Sequence, residues 1–234
     1  MLVKALYVYP VKGCRAVARD DAALDALGLA GDRRFVFLGA EGRAVTQRDQ
    51  PLLATVQPAV DQKAIRLDLG GLVELTVEFE RFERDAFVDV WGTRIAGRAA
   101  PADLASDYLG MPVTLVMLDR QAPRAFVDSK PVLVVTTGML ARLDLPEVGA
   151  ERFRPNVVLE GDGEWRELRG RETVLEYAEP CSRCEVTTID QASGSRRGPE
   201  PLRTLNERFA GDFGVYCRVR RAGRLRRGEV LQAS

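Results

Sequence analysis

The 234-residue chain carries 34 lysines and arginines against 34 aspartates and glutamates, and it has no histidine. The even balance gives no global reason to expect a nucleic-acid partner, and the length allows a full core without disulfide or metal staples. The missing histidine excludes Ser-His-Asp and Cys-His nucleophile pairs, histidine-liganded zinc and a histidine general base.

Chemistry here must rest on cysteine, carboxylates, lysine, arginine, backbone groups or a bound cofactor. No run approaches the roughly 18 apolar residues of a membrane span, and the start MLVKALYVYPVKGC has no signal-peptide pattern. The expectation is a cytoplasmic protein whose four cysteines stay reduced.

In chain order, LVKALYVYPV, Val36 to Leu38, Ala64 to Leu69 and Leu72 to Phe79 read as short strands punctuated by glycines, and DAALDALGL as a short helix ending near Gly28. FVDVWG reads as strand and turn. APADLASDYLG, with its early proline and terminal glycine, reads as a helix. VTLVMLD and PVLVVTTG are strands, with a helix opening at MLARLD. PNVVLEG, TVLEYAEP, CEVTTID, FGVYCRVR and GEVLQ add strands, and PLRTLNERFA one more helix. The sum is a β-rich α+β chain of barrel-like or sandwich-like character with helical insertions, not a doubly wound nucleotide fold. A boundary between Asp85 and Met111 would divide it into a region of residues 1–90 and a core domain of 91–234.

Four motifs carry candidate chemistry. PVKGCR places Lys12, Gly13 and Arg15 in a turn suited to an anion, although neither GxGxxG nor GxxxxGK[ST] occurs. GLAGDRRF offers Asp32, Arg33 and Arg34 ahead of a strand, and ERFRPN offers Arg152, Arg154 and Asn156 ahead of another; arginines so placed clamp phosphate bidentately. Each also reads as a solvated face or an Asp–Arg pair. In PCSRCEVTTID, Cys181 and Cys184 admit several readings: a thioredoxin-type pair, disfavoured because EVTTI prefers strand to helix; a zinc site completed by Cys14 and Cys217; two packed, inert thiols; or a thiolate ligand to a transition metal, helped by Arg183. Trp91 and Trp165 read as core packing or the wall of a substrate site. The ten arginines from Arg196 to Arg227, against three acids, form a candidate basic face.

Taken together, YPVKGCR, GLAGDRRFVFLGAEGRAVTQRDQP, VWGTRIAG, ERFRPNVVLEG, PCSRCEVTTID, EPLRTL and FGVYCRV resemble the MOSC-domain family in its two-part form. There an N-terminal β-rich MOSC_N region precedes a MOSC β-barrel core, as in the amidoxime-reducing components of mitochondria and their bacterial relatives. The resemblance implies a molybdenum–molybdopterin cofactor and reduction of small N-hydroxylated substrates. It places Cys184 as the molybdenum ligand, Lys12, Gly13 and Arg33 at the cofactor's phosphate, Arg154 and Asn156 as further cofactor contacts, and Ser182 and Arg183 in the same pocket. Asp190 is carried over as a catalytic candidate. Gly13 stands where the family commonly has serine, and GDGEWREL is shorter than usual. With no ferredoxin-type domain fused, electrons are expected from a separate flavin or iron–sulfur protein, docking on the arginine-rich face. A non-catalytic cofactor or sulfur carrier is the alternative.

Overall fold

A computed structural model describes all of residues 1–234. Its largest element is an eight-stranded sheet with the order Gln232–Ala233, Glu167–Arg169, Val174–Ser182, Asp212–Arg221, Val132–Thr136, Val157–Glu160, Leu2–Val8, Val17–Arg19. All five residues of Val132–Thr136 are buried, as a central strand covered on both faces requires. Its pairing with Val157–Glu160 is the sheet's parallel step. The crossover contains the helix Thr137–Leu143, whose N-cap Thr136 accepts a hydrogen bond from the Met139 N–H at 3.0 Å.

Two smaller sheets occupy the first half. Phe35–Leu38, Thr114–Leu118, Thr93–Pro101 and Arg84–Val90 form one, and Val56–Val60, Ala64–Leu69 and Glu74–Glu78 the other. Phe37, Leu53, Ile65, Leu67, Leu69 and Leu115 are fully buried in the core these sheets share. Each such side chain contributes about 1.5–3 kcal/mol on burial. The helix Asp103–Leu109 closes on Gly110 in the left-handed conformation, a glycine C-cap. The chain is thus a β-rich α+β protein, 43% strand and 16% helix, with three α-helices.

Hydrogen bonding does not separate the halves. Leu2–Val8 lies between Val157–Glu160 and Val17–Arg19, and Asp21–Asp25 pairs with Gly223–Arg226. The loop after the first strand is thereby delivered to the end of the large sheet where Val174–Ser182 terminates, and the site depends on that delivery.

Three expected elements differ; GEVLQ forms no strand of its own, with Val230 bridging to Leu2 ahead of the short strand Gln232–Ala233. DAALDALGL is a hairpin of Asp21–Asp25 and Gly28–Leu29, not a helix. Ala22 and Leu24 alternate inward with a period of two, and pairing with Gly223–Arg226 outweighs the helix propensity of alanine and leucine. CEVTTID is not a strand but a 3₁₀ turn over Glu185–Thr188. The hydroxyls of Thr187 and Thr188 donate back to the carbonyls of Cys184 (3.0 Å) and Glu185 (2.7 Å), local bonds that compete with a sheet ladder.

Candidate functional site

Where the strand Val174–Ser182 runs out, the chain borders a partly open cavity of about 100 Å³. Lys12, Gly13, Arg33, Arg154, Ser182, Arg183 and Cys184 all line it, so most of the sequence candidates converge. Lys12 and Gly13 arrive on the turn after Leu2–Val8, where the Lys12 N–H donates to the Phe35 carbonyl at 2.8 Å. Gly13 sits at φ +86°, and a Cβ there would also meet the Leu53 side chain at 3.0 Å, which accounts for glycine at this position.

Arg33 and Arg154 are non-glycine residues in the left-handed region, at φ 47° and 55°. Such backbone costs on the order of 1–2 kcal/mol, a strain that clusters at functional sites. Their guanidinium groups lie 4.5 and 4.4 Å from the ring centroid of buried Tyr9. Arg33 pairs with fully buried Asp32 at 2.6 Å, and Asp32 also accepts from the Tyr9 N–H at 2.8 Å. Arg154 has no acid partner. It donates to the Cys14 carbonyl at 2.7 Å and to Gln191 Oε1 at 3.1 Å, and burial lowers its pKa to about 10, still protonated at neutral pH.

Asn156 does not line the cavity. Buried behind it, its Oδ1 accepts from Arg33 Nη1 at 3.2 Å and from the Leu133 N–H at 3.1 Å, while Nδ2 donates to the Tyr7 carbonyl at 3.2 Å. Its place is to hold Arg33 from the sheet side. Asp190 is not brought to Cys184 either. Its carboxylate accepts from the N–H groups of Ala192 (3.0 Å) and Ser193 (2.8 Å) and from the Ser193 hydroxyl, and it pairs with Arg197 at 3.0 Å. Those bonds, the Ser193 N–H foremost, hold it below the usual carboxylate range. Asp190 caps a turn and faces a separate cavity behind Arg154.

The two cysteines of PCSRC have different surroundings. Cys181 is buried at the strand end, where Arg183 Nη1 donates to its sulfur at 2.8 Å and Nη2 to the Phe153 carbonyl at 2.8 Å. Cys184 is exposed at the cavity wall, and its sulfur accepts from Arg48 Nη1 at 3.3 Å. Arg183, expected beside the metal-binding thiolate, serves the other cysteine. Cys14 and Cys217 are buried elsewhere, and burial pushes the Cys14 thiol up to about 12 and Cys217 higher still. No three cysteine or carboxylate side chains gather into a metal-holding group, so the four cysteines do not assemble a zinc site.

Several cavity residues escaped sequence reasoning. Arg48 belongs to VTQRDQP, a loop arginine that no spacing distinguishes from a solvated one. Asp128, the only carboxylate in the lining, pairs with Lys12 at 2.5 Å and accepts from Trp91 Nε1 at 3.0 Å. Burial alone would raise its pKa, but the Lys12 ammonium and the two hydrogen bonds hold it well below the usual carboxylate range. Burial in turn lowers Lys12, against the pull of Asp128. Burial, with Cys181 alongside, raises the Tyr216 phenol.

The arginine-rich C-terminal segment is largely neutralised: Arg196, Arg197, Arg203, Arg220, Arg224, Arg226 and Arg227 each pair with an acid. No helix is long and apolar enough to cross a membrane.

Two family models account for most of the chain. The MOSC N-terminal beta barrel domain matches residues 1–112, and the MOSC domain matches residues 121–232. The mitochondrial amidoxime-reducing component 1 of Homo sapiens is 30% identical over 87% of this chain and 70% of its own length. The mitochondrial amidoxime reducing component 2 of Bos taurus is 27% identical over 98% and 82%. A molybdenum cofactor sulfurase from Oryza sativa subsp. japonica is 26% identical over 87% of this chain and 30% of its own. Among solved structures, the YUAD protein of Bacillus subtilis superposes with a TM-score of 0.46 at 13% identity, covering 97% of this chain and 91% of that one.

Proposed function

The chain belongs to the family that joins a MOSC N-terminal β-barrel domain to a MOSC domain, and on that premise we propose that it is a molybdenum–pterin-dependent reductase of N-hydroxylated compounds. The observation that carries the reading is the cavity's charge. Lys12, Arg33, Arg48, Arg154 and Arg183 line the cavity that the exposed Cys184 thiol faces, with Asp128 as the sole carboxylate among them.

These residues fit an anionic, metal-bearing cofactor. Arg154 is a buried cation without a countercharge, and the Nε of Arg183 is a buried donor without a partner. Both are costly unless a ligand supplies acceptors. Cys184 offers a soft thiolate to a transition metal. Lys12 and Arg33, with the backbone N–H of Gly13, would hold the phosphate, and Arg154, Ser182 and Arg183 would line the pterin. Asn156 orients Arg33 from behind, and Asp190 fixes the turn carrying Gln191, which in turn holds Arg154.

When bound, the group would supply a two-electron, oxygen-accepting metal centre, chemistry the side chains cannot perform themselves. The net reaction breaks the N–O bond of the substrate. Two electrons and two protons enter, and the amine or amidine and water leave. The electrons would come from a separate flavin or iron–sulfur protein. Arg48, donating to the Cys184 sulfur, fixes the direction in which that thiolate points.

The match to a molybdenum cofactor sulfurase favours one other reading, a cofactor or sulfur carrier without turnover. Purification from hosts with and without pterin-cofactor synthesis, followed by elemental analysis, separates these from an empty module. Stoichiometric molybdenum with turnover of an amidoxime using a chemical reductant is expected. Metal without turnover favours the cofactor carrier, and no molybdenum from the competent host overturns both the reductase and the cofactor carrier, leaving only the sulfur carrier. Cys184→Ser should abolish turnover while leaving the circular dichroism spectrum and unfolding midpoint unchanged.

A further inference from the structure

Trp91 is the feature that the cofactor site does not absorb. It lies at the tip of the hairpin joining Arg84–Val90 to Thr93–Pro101, at φ 53°, followed by Gly92 at φ 76°. Two successive residues with positive φ form a turn that usually takes Asn, Asp or Gly, and a bulky aromatic there is an outlier. The ring is also held firmly. Its Nε1 donates to Asp128 at 3.0 Å, and the Arg48 guanidinium carbon stands 4.7 Å from the ring centroid. Yet Trp91 is 66% exposed. An indole fixed at its edge and by one neighbour but still largely uncovered is a preorganised stacking platform, because no rotamer freedom is lost when a ligand settles on it.

Its location says what that ligand is. Trp91 borders a groove that shares Lys12, Thr46 and Arg48 with the Cys184 cavity. Arg48 joins the two, reaching the Cys184 sulfur at 3.3 Å while packing against the indole. Arg48 covers one face of the indole, so a flat molecule settles on the other, uncovered face, in the groove that adjoins the Cys184 cavity. Where the cavity itself gathers cations, the groove mixes Lys12, Arg43 and Arg48 with the carboxylates of Asp49 and Asp89. That mixed surface beside an exposed indole suits a neutral, planar, conjugated nitrogen base.

We infer that Trp91 is a specificity-determining residue whose exposed indole stacks on the flat, conjugated part of the N-hydroxylated substrate and sets the preference for aromatic over small aliphatic members of that class. The inference takes its substrate class from the reductase reading, but the stacking site itself needs no metal.

The first test uses the cofactor-free protein. Trp165, the only other tryptophan, is buried at 8% exposure. In Trp165→Phe, Trp91 is the sole indole reporter, and titration with benzamidoxime should quench its fluorescence saturably while acetamidoxime leaves it unchanged. The second test is kinetic. In the cofactor-loaded enzyme, Trp91→Ala should raise KM for benzamidoxime about tenfold, the scale of one aromatic pair, with kcat within about twofold. Trp91→Phe should restore most of the loss, and acetamidoxime should be affected by neither. Unsaturable quenching, or equal KM changes for both compounds, overturns the inference. Saturable quenching without turnover of any amidoxime overturns the reductase reading and leaves the stacking site standing.

Discussion

The arginines of this chain fall into two populations that sequence alone does not distinguish. Along the C-terminal segment, Arg224, Arg226 and Arg227 lie between about two-fifths and two-thirds exposed, each with an acid beside it. Around the cavity, Arg154 is buried and Arg33 is half-buried, both on left-handed backbone, and Arg154 has no acid at all. The first arrangement is solvated and locally neutral. The second holds positive charge with little water to screen it: Arg33 is offset by buried Asp32, whereas the cost at Arg154 is recovered only when an anion enters. Arginine density therefore marks the neutralised segment, while burial without countercharge marks the cavity.

The contrast breaks most sharply at Arg33. Arg33→Ala would leave the Asp32 carboxylate fully buried with only the Tyr9 N–H to satisfy it. Removing one member of such a pair costs about 3–5 kcal/mol. Chemical denaturation of the cofactor-free variant should show that loss. A loss below about 1 kcal/mol would mean that Asp32 is relieved by another group and that the pair has no structural role.

Much of this was legible in the sequence, for identifiable reasons. Val132–Thr136 and Asp103–Leu109 follow from an apolar run and from a helical pattern stopped by glycine. The motif positions of Lys12, Arg33 and Cys184 reached the cavity because turns after strands place them there. What was hidden depends on contacts distant in sequence. DAALD looks helical until Gly223–Arg226 pairs with it, 198 residues or more away along the chain. Arg48 acquires meaning only through Cys184, 136 residues on, and Asp128 only through Lys12, 116 residues back. Asp190 was misleading for the opposite reason: its bonds to Ala192 and Ser193 are local, and they turn it away from the chemistry that its motif suggested.

Asp128 sharpens the comparison at intermediate size, because it belongs to the cavity yet its side chain is 47% exposed. Its pKa is depressed in the folded protein, so its contribution is fully present above the unfolded value of about 3.9 and is lost as pH falls through that value toward the folded one. Solvent screening limits it to about 1 kcal/mol. Asp128→Asn should therefore lower stability at neutral pH by about that amount. Denaturation midpoints of variant and parent should converge as the solution is acidified below about pH 4. A gap that persists unchanged in acid would show that the contribution comes from packing rather than from the ion pair with Lys12.

The smallest effect is expected at Arg224, whose partner Asp21 lies across the pairing of Gly223–Arg226 with Asp21–Asp25. Both side chains are nearly half exposed, so the pair gains little Coulomb energy and is screened by salt. Arg224→Ala should change stability by about 0–1 kcal/mol, and that small difference should shrink further at about 1 M salt, where the screening length falls to about 3 Å. The backbone pairing of the two strands is untouched by the substitution, so the strand pair stays in register. A loss comparable to that of Arg33→Ala, insensitive to salt, would place this segment's arginines in the same class as those of the cavity. The distinction between screened and unscreened guanidinium groups would then no longer locate the site.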